Sequence, residues 1–220
     1  MELLDALRTN PSVRDFTPQA VPDAELAAIL DDARFAPSGG NRQPWRVVVV
    51  KDSALRRALA ELCGPVWSEY VAIGATGATP FAVAGEQPTV ADIGPQPNPL
   101  LDAIEEVPVV LVVAADLTAV AMMDKDLARP TLSGGASVYP FVHSLLLAAR
   151  GRGLGGVMTT FLARAEDAAR PLLGLPADWA IASMVCLGHP VRRATKLSRR
   201  PVAEVAFVDR FDGPPFEPRT

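Results

Sequence analysis

Apolar residues along this chain switch between helical and strand-like spacing, and the switches mark out its elements. Glu2 to Arg8 predicts a short helix, stopped by Asn10-Pro11. From Pro22 to Phe35 the positions Leu26, Ile29, Leu30 and Ala33 fall at i, i+3, i+4 and i+7, the stripe of an amphipathic helix. Pro37-Ser38-Gly39-Gly40-Asn41 breaks that helix into a loop. Trp45 to Val50 predicts a strand, and the unbroken run Val47 to Val50 predicts burial on both of its faces. Ser53 to Leu62 predicts a helix with Ser53 as its N-cap.

Further on, Val107 to Ala115 predicts a second buried strand. Ala136 to Arg150 predicts a long helix with Val138, Val142, Leu145, Leu146 and Ala149 on its apolar side. Gly153 to Gly156 turns the chain into a short strand, Val157 to Thr160. Arg164 to Leu173 predicts a helix in which Pro171 costs a hydrogen bond unless the last turn is irregular. Trp179 to Leu187 predicts the last strand.

Two stretches lack this order. Residues 64–106 are rich in Gly, Pro and Ala and weakly periodic, with parts such as Pro65 to Ile73 and Asn98 to Glu105 compatible with helix. So long an irregular stretch is expected to be a lid or binding insert. After Gly188-His189-Pro190, a basic and Pro-punctuated arm, residues 190–220, carries too little apolar periodicity for a core of its own. It is expected to lie across another surface. With no repeat and no linker, residues 1–220 read as one domain.

Composition narrows the function classes. Hydrophobic residues make up 49% and charged residues 21%, an ordinary globular balance rather than a disordered one. The formal net charge of -4 gives no general attraction to nucleic acid or anionic membrane, so any anion needs a local basic cluster. Met1 to Arg8 lacks the features of a signal peptide, and no apolar run is long enough to span a bilayer; the expected location is the cytoplasm. Cys63 and Cys186 form no CxxC pair and no metal-ligand spacing with His143 or His189, and no metal is expected. Cys186 reads as a buried small hydrophobe.

The usual catalytic sets are missing. There is no Walker loop, no G-x-S-x-G elbow and no H-E-x-x-H. Gly151 to Gly156 precedes a strand instead of joining a strand to a helix, so it is a poor dinucleotide fingerprint. Chemistry without such side chains points to a cofactor that brings its own. Two basic clusters stand far apart: Ser12-Val13-Arg14, with Arg8 upstream, and Lys196-Leu197-Ser198-Arg199-Arg200. Arginine forks with a serine hydroxyl suit a phosphate monoester, but each cluster alone reads as well as solvated surface.

Several motifs together carry more. Ser12-Val13-Arg14-Asp15-Phe16, Val21-Pro22 and Ala33 to Trp45 closely resemble the N-terminal signature of the nitroreductase family of flavoproteins. Gly135 to Pro140 and Leu145 to Leu154 look like its central helix and following turn. Leu173 to Pro176, Leu187 to Pro190 and Arg199 to Val205 look like its C-terminal third. The resemblance runs in register over nearly the whole chain except residues 64–106.

The resemblance implies an α+β three-layer sandwich with a mainly antiparallel central sheet flanked by helices. It implies a homodimer with exchanged C-terminal arms and two FMN sites at the subunit interface. By the same resemblance, Ser12 and Arg14 match the phosphate-binding segment, and Arg199 the C-terminal basic residue that closes on it. Pro37, Ser38, Gly39 and Asn41 match the loop that the partner subunit lays beside the flavin. Ser137 matches a polar contact on the central helix, and Met158, Thr159 and Thr160 the strand segment at the ring edge. Asn10 stands where the family usually has arginine, leaving Arg8, Lys196 or Arg200 to replace that charge.

The activity so implied is ping-pong hydride transfer from NAD(P)H through flavin N5 to a nitroaromatic, quinone, flavin or enone. The alternatives are a flavin-dependent tailoring oxidase or dehydrogenase, a flavin-fragmenting enzyme, and a non-catalytic flavin-storage or sensing protein. Trp45 and Trp179 read as core, and His143 as a structural histidine. Trp67 and Tyr70 lie in the insert and either face the active site or pack within it.

Overall fold

Alternation along one strand decides the layers. The structure, a computed structural model, describes residues 1–217; the last three residues of the expected arm, 218–220, lie outside them. Strands β1 (Trp45–Val49), β2 (Val109–Asp116), β3 (Gly155–Thr159) and β4 (Trp179–Gly188) form one sheet of order β1-β2-β4-β3. Every neighbouring pair is antiparallel. Successive side chains of a strand point to opposite faces, and β2 is apolar at every position from Val109 to Ala115. Each face therefore needs its own helical cover.

On one face, Val110, Val112, Val157, Met184 and Cys186 pack with Leu59, Cys63, Leu101, Ile104 and Leu162. These come from α3 (Ser53–Ala75), α4 (Pro99–Asp102) with the turn after it, and α6 (Phe161–Arg164), beside α7 (Glu166–Leu173). On the other, Val109, Leu111, Val113, Val185 and Leu187 meet Leu26, Ile29 and Ala33 of α2 (Asp23–Ala33). Phe141, Val142, Leu145 and Ala149 of α5 (Tyr139–Gly151) complete that layer. Burying a side chain such as Leu111 or Leu145 completely contributes about 1.5–3 kcal/mol. The result is the expected α+β three-layer arrangement. The short N-terminal helix is α1 (Leu3–Arg8).

Three expectations are corrected. The helix at Ser53 runs on to Ala75, because Cys63, Val66, Ala72 and Ile73 keep burying its inner face past Pro65. Its N-cap is Asp52, whose carboxylate accepts from the Leu55 N–H at 2.7 Å, while Ser53 is already helical and its hydroxyl meets Glu105. The valine run of β1 is not buried on both faces. β1 is a sheet edge, so Val47 and Val48 are half-buried and Val49 is exposed. Residues 136–138 are not α-helical: a 3-10 turn, Ser133–Ser137, precedes α5.

Pro171 is accommodated in α7, which closes on Gly174 at φ 61°. Arg170 reinforces this end by pairing with Glu166 at 2.6 Å and donating to the Trp179 carbonyl at 3.1 Å. Both cysteines are free and buried, and burial pushes each thiol up to about 12.

Close approach explains the glycines of β3. A Cβ on Gly156 would stand 2.4 Å from Leu187 Cδ2, 2.9 Å from Leu146 Cδ2 and 2.9 Å from the Cys186 carbonyl oxygen. Gly156→Ala is accordingly expected to lower stability by about 1–3 kcal/mol, the usual cost of overpacking a filled core. Urea unfolding measures it; an unchanged midpoint would mean that this contact relaxes freely.

Candidate functional site

The Ser12–Arg14 segment is held against β3. Ser12 forms a parallel bridge with Gly156, and the Val13 N–H donates to the Gly156 carbonyl at 2.8 Å. Val13 is buried while Ser12 and Arg14 face outward. Together with Pro11, Asp15, Arg192, Arg193 and Ala194 they line an open cleft of about 310 Å³. Arg14 makes no ion pair among the described residues.

The same strand leads to the ring-edge segment. From Gly156 to Thr159 the chain advances roughly 10 Å. Met158 is 38% exposed, whereas Thr159 is buried and its hydroxyl donates to the Met184 carbonyl at 3.4 Å. Thr160 is exposed at the start of α6. Thr159 thus spends its hydroxyl on the sheet, leaving Met158 and Thr160 as the side chains offered outward.

Beside them Phe161 meets Trp67 edge-on at 5.6 Å and Tyr70 at 5.8 Å, and Trp67 stacks on Tyr70 at 5.7 Å. Arg164 stands over Phe81 at 4.3 Å and pairs with Glu69 at 3.0 Å. The insert therefore packs onto α6 through an aromatic cluster. Next to it, the 88–98 segment forms one wall of a half-open cavity of about 1050 Å³ that Trp67 and Glu69 also line.

A second group forms around the loop after α2. The Gly39 N–H donates to Ser137 Oγ at 3.1 Å. Ser38 Oγ accepts from the Gln43 N–H at 2.9 Å, and Gln43 Nε2 donates to Asn41 Oδ1 at 3.2 Å. Gly40, Asn41 and Gln43 all have left-handed backbone, with φ of 59°, 52° and 51°. Glycine and asparagine adopt this readily, but glutamine is strained there. Pro37, Gly39 and Asn41 are exposed.

Ser137 is positioned by the loop before it. Buried Asp124 accepts from the Ser133 hydroxyl, from the Leu132 N–H at 2.8 Å and from Arg129 at 2.7 Å. These donors hold its carboxyl far below the usual carboxylate range, the Ser133 hydroxyl most of all. A depressed folded-state pKa contributes stability above the unfolded value of about 3.9, lost as pH falls toward the folded one. The 122–133 loop is therefore expected to resist pepsin near pH 5 and to open as pH falls well below about 4. Asp124→Asn should be cut at both ends of that range; equal resistance in variant and wild type would remove Asp124 from this role.

The sequence-derived site residues thus fall into two groups. Ser12 and Arg14 share β3 with Met158, Thr159 and Thr160, and Ser38, Gly39 and Asn41 share a loop with Ser137. Among the described residues no hydrogen bond joins the groups. Arg199 and Arg200 are exposed and do not line the Ser12 cleft; Arg199 donates to its neighbour's carbonyl, Ser198 O, at 2.7 Å. His143 is exposed on α5. Trp45 stacks on Phe141 at 4.9 Å in the core, and Trp179 lies under Arg46 at 4.6 Å.

Arg192, Arg193 and Asp124 were not singled out by the sequence. Nothing in their spacing marks them, since their roles depend on where two loops return.

The FMN implied by the motifs has a phosphate at one end and a ring at the other. The exposed Ser12 and Arg14, followed along one strand by an outward ring-edge segment, fit such a molecule.

Residues 7–189 match the Nitroreductase family. The chain belongs to the nitroreductase family. Its relatives include the NADH dehydrogenase of Thermus thermophilus, 30% identical with 89% of this chain and 90% of that one covered. The 5,6-dimethylbenzimidazole synthase of Rhodospirillum rubrum is 31% identical, with 90% of each covered. A nitroreductase-like structure from Desulfovibrio desulfuricans, crystallised in complex with FMN, superposes with a TM-score of 0.68 at 25% identity. It covers 96% of this chain and 98% of that one. Among the described residues no helix is long and apolar enough to cross a membrane.

Proposed function

We propose that this nitroreductase-family protein works as a cytoplasmic homodimer that oxidises NADH or NADPH and reduces a nitroaromatic, quinone, flavin or enone in the same cleft. It is an FMN-dependent oxidoreductase. The observation that carries the reading is the bridge from Ser12 to Gly156, which aligns a basic cleft and a ring-edge segment along one strand. Bound FMN supplies the hydride chemistry, by ping-pong exchange at N5. The chain's own part is to hold and shield it. Ser12, Arg14 and Arg199 bind the phosphate, Arg199 from the C-terminal arm. Met158, Thr159 and Thr160 border the ring edge, with the Thr159 backbone rather than its hydroxyl available there. Pro37, Ser38, Gly39, Asn41 and Ser137 close the other side from the partner subunit.

Dimer formation is supported by the chain's surface. Leu3, Leu4 and Leu7 of α1 are exposed, as are Val191, Val202, Val205 and Phe211 of the arm. So many apolar side chains gain burial only from another surface.

The test is direct. Purified protein should be yellow and release one FMN per subunit by mass, and it should oxidise NADH or NADPH with menadione, with parallel-line kinetics. FAD, a deazaflavin or no flavin after reconstitution would contradict the cofactor assignment. Bound FMN without turnover would make it a storage or sensing protein.

A second reading rests on the 5,6-dimethylbenzimidazole synthase relatives. Under it the flavin is consumed: once reduced, the holoprotein does not regain its yellow colour in air, and there is no catalytic quinone reduction.

A further inference from the structure

The Ser12 cleft has a second wall that the motifs do not contain. Arg192, Arg193 and Ala194, just after β4, face Ser12, Arg14 and Asp15 across it. Arg193 is oriented by donating from Nη2 to the Gly153 carbonyl at 3.1 Å, which leaves its other nitrogens free to face a ligand. Arg192 is exposed and makes no ion pair among the described residues. Three arginines and one carboxylate residue, Asp15, thus line the cleft, in a chain whose net charge is negative.

Beneath both walls lies Arg150, in the last turn of α5. It is only 8% exposed, and its Nε is buried without a partner. Its Nη2 donates to Thr9 Oγ1 at 2.9 Å and to the Ala194 carbonyl at 3.4 Å. Thr9 leads into Ser12, and Ala194 ends the second wall. One buried cation therefore ties the two walls together, although they are far apart in sequence. No carboxylate neutralises it among the described residues, and its charge favours an anion in the cleft above.

We infer that Arg192 and Arg193 supply the phosphate charge that Asn10 does not, and that Arg150 is the positioning residue that holds both walls of the cleft. This rests on the reading of the Ser12 cleft as the FMN phosphate site. It replaces Arg8, Lys196 and Arg200 as sources of the missing charge. The chemistry is that of a phosphate monoester, near two negative charges at neutral pH. Forked guanidinium donors on both walls bind it from two sides, where a single wall leaves one side to water.

The experiment is fluorescence titration of apoprotein with FMN and with riboflavin, which lacks the phosphate. Wild type, Arg14→Ala and the double variant Arg192→Gln/Arg193→Gln are compared. The double variant should lose roughly tenfold or more in FMN affinity and keep its riboflavin affinity. If it binds FMN like wild type while Arg14→Ala is weakened, the second wall is idle and the inference is overturned, but the phosphate site stands. If neither variant is weakened, the phosphate lies elsewhere and both readings fall.

For Arg150, Arg150→Met should weaken FMN binding but not riboflavin binding, and Arg150→Lys should restore part of it. Equal loss for both flavins would reduce Arg150 to a general structural role. Should Arg150→Met fail to fold, Thr9→Val removes the Arg150 contact to the first wall, together with the Thr9 hydroxyl's bond to the Asp5 carbonyl, and should show the same FMN-selective loss.

Discussion

Arg14→Ala and Arg199→Ala are each expected to weaken FMN binding by about 2–5 kcal/mol, the range for truncating one partner of a buried charge pair. The phosphate cannot remain partly desolvated without its counter-charges. Arg14 is placed for this by the strand bridge at Ser12, and Val13, buried beneath Gly155, fixes its direction. Arg199 is at the other end of the chain and lies outside the Ser12 cleft within one copy, so its effect tests whether the arm brings it to the phosphate in the proposed dimer. Lysine at either position should restore only part of the affinity, because the planar fork is lost. Riboflavin should bind poorly to wild type and indifferently to the variants. Titration of apoprotein decides it: if both variants hold FMN as tightly as wild type, these arginines are not at the phosphate.

Removing the arm has a larger expected consequence. A chain ending at His189 should be recovered aggregated or without flavin. In the single chain the arm carries one short 3-10 turn, Val202–Glu204, and an isolated bridge between Phe207 and Pro215. Phe211 is 97% exposed and Val205 62% exposed. Such side chains bury little within one copy, so in the proposed dimer their stabilising effect comes from the second one. Size-exclusion chromatography with absorbance at the flavin band measures both properties. A soluble monomer that retains FMN would contradict the exchanged arm.

The sequence revealed most where one element buries one continuous face. The stripe at Leu26, Ile29, Leu30 and Ala33 and the apolar run of β2 located two layers directly. It misled where burial depends on neighbours. The run of four valines from Val47 to Val50 looks like a central strand, yet the position of β1 at the sheet edge leaves Val49 in solvent. The helix from Ser53 reads as ending at Leu62, yet the buried Cys63, Val66 and Ile73 carry α3 through Pro65. At the candidate site, Ser12, Arg14 and the loop around Gly39 were legible as motifs. Arg192, Arg193 and Arg150 were not, because a basic residue announces its partner only after two distant loops have met. Thr159 shows the reverse case: the motif locates the residue, but the hydrogen bond to Met184 shows that its hydroxyl is already engaged.

The segment between the end of α3 and the start of α4 hangs on few points. Trp67 Nε1 donates to the Pro97 carbonyl at 3.0 Å, and Ser68 Oγ accepts from the Gln96 N–H at 3.1 Å. The residues from Val83 to Ile93 contribute nothing to either core cluster. Insertions, deletions and substitutions there are thus nearly neutral for the scaffold. A lineage can rewrite this stretch while the sheet, the cleft and the strained Gly40 loop stay under their own constraints. Divergence in acceptor preference among descendants of such a chain should concentrate in these residues, and a library confined to them should yield mostly folded, flavin-loaded proteins.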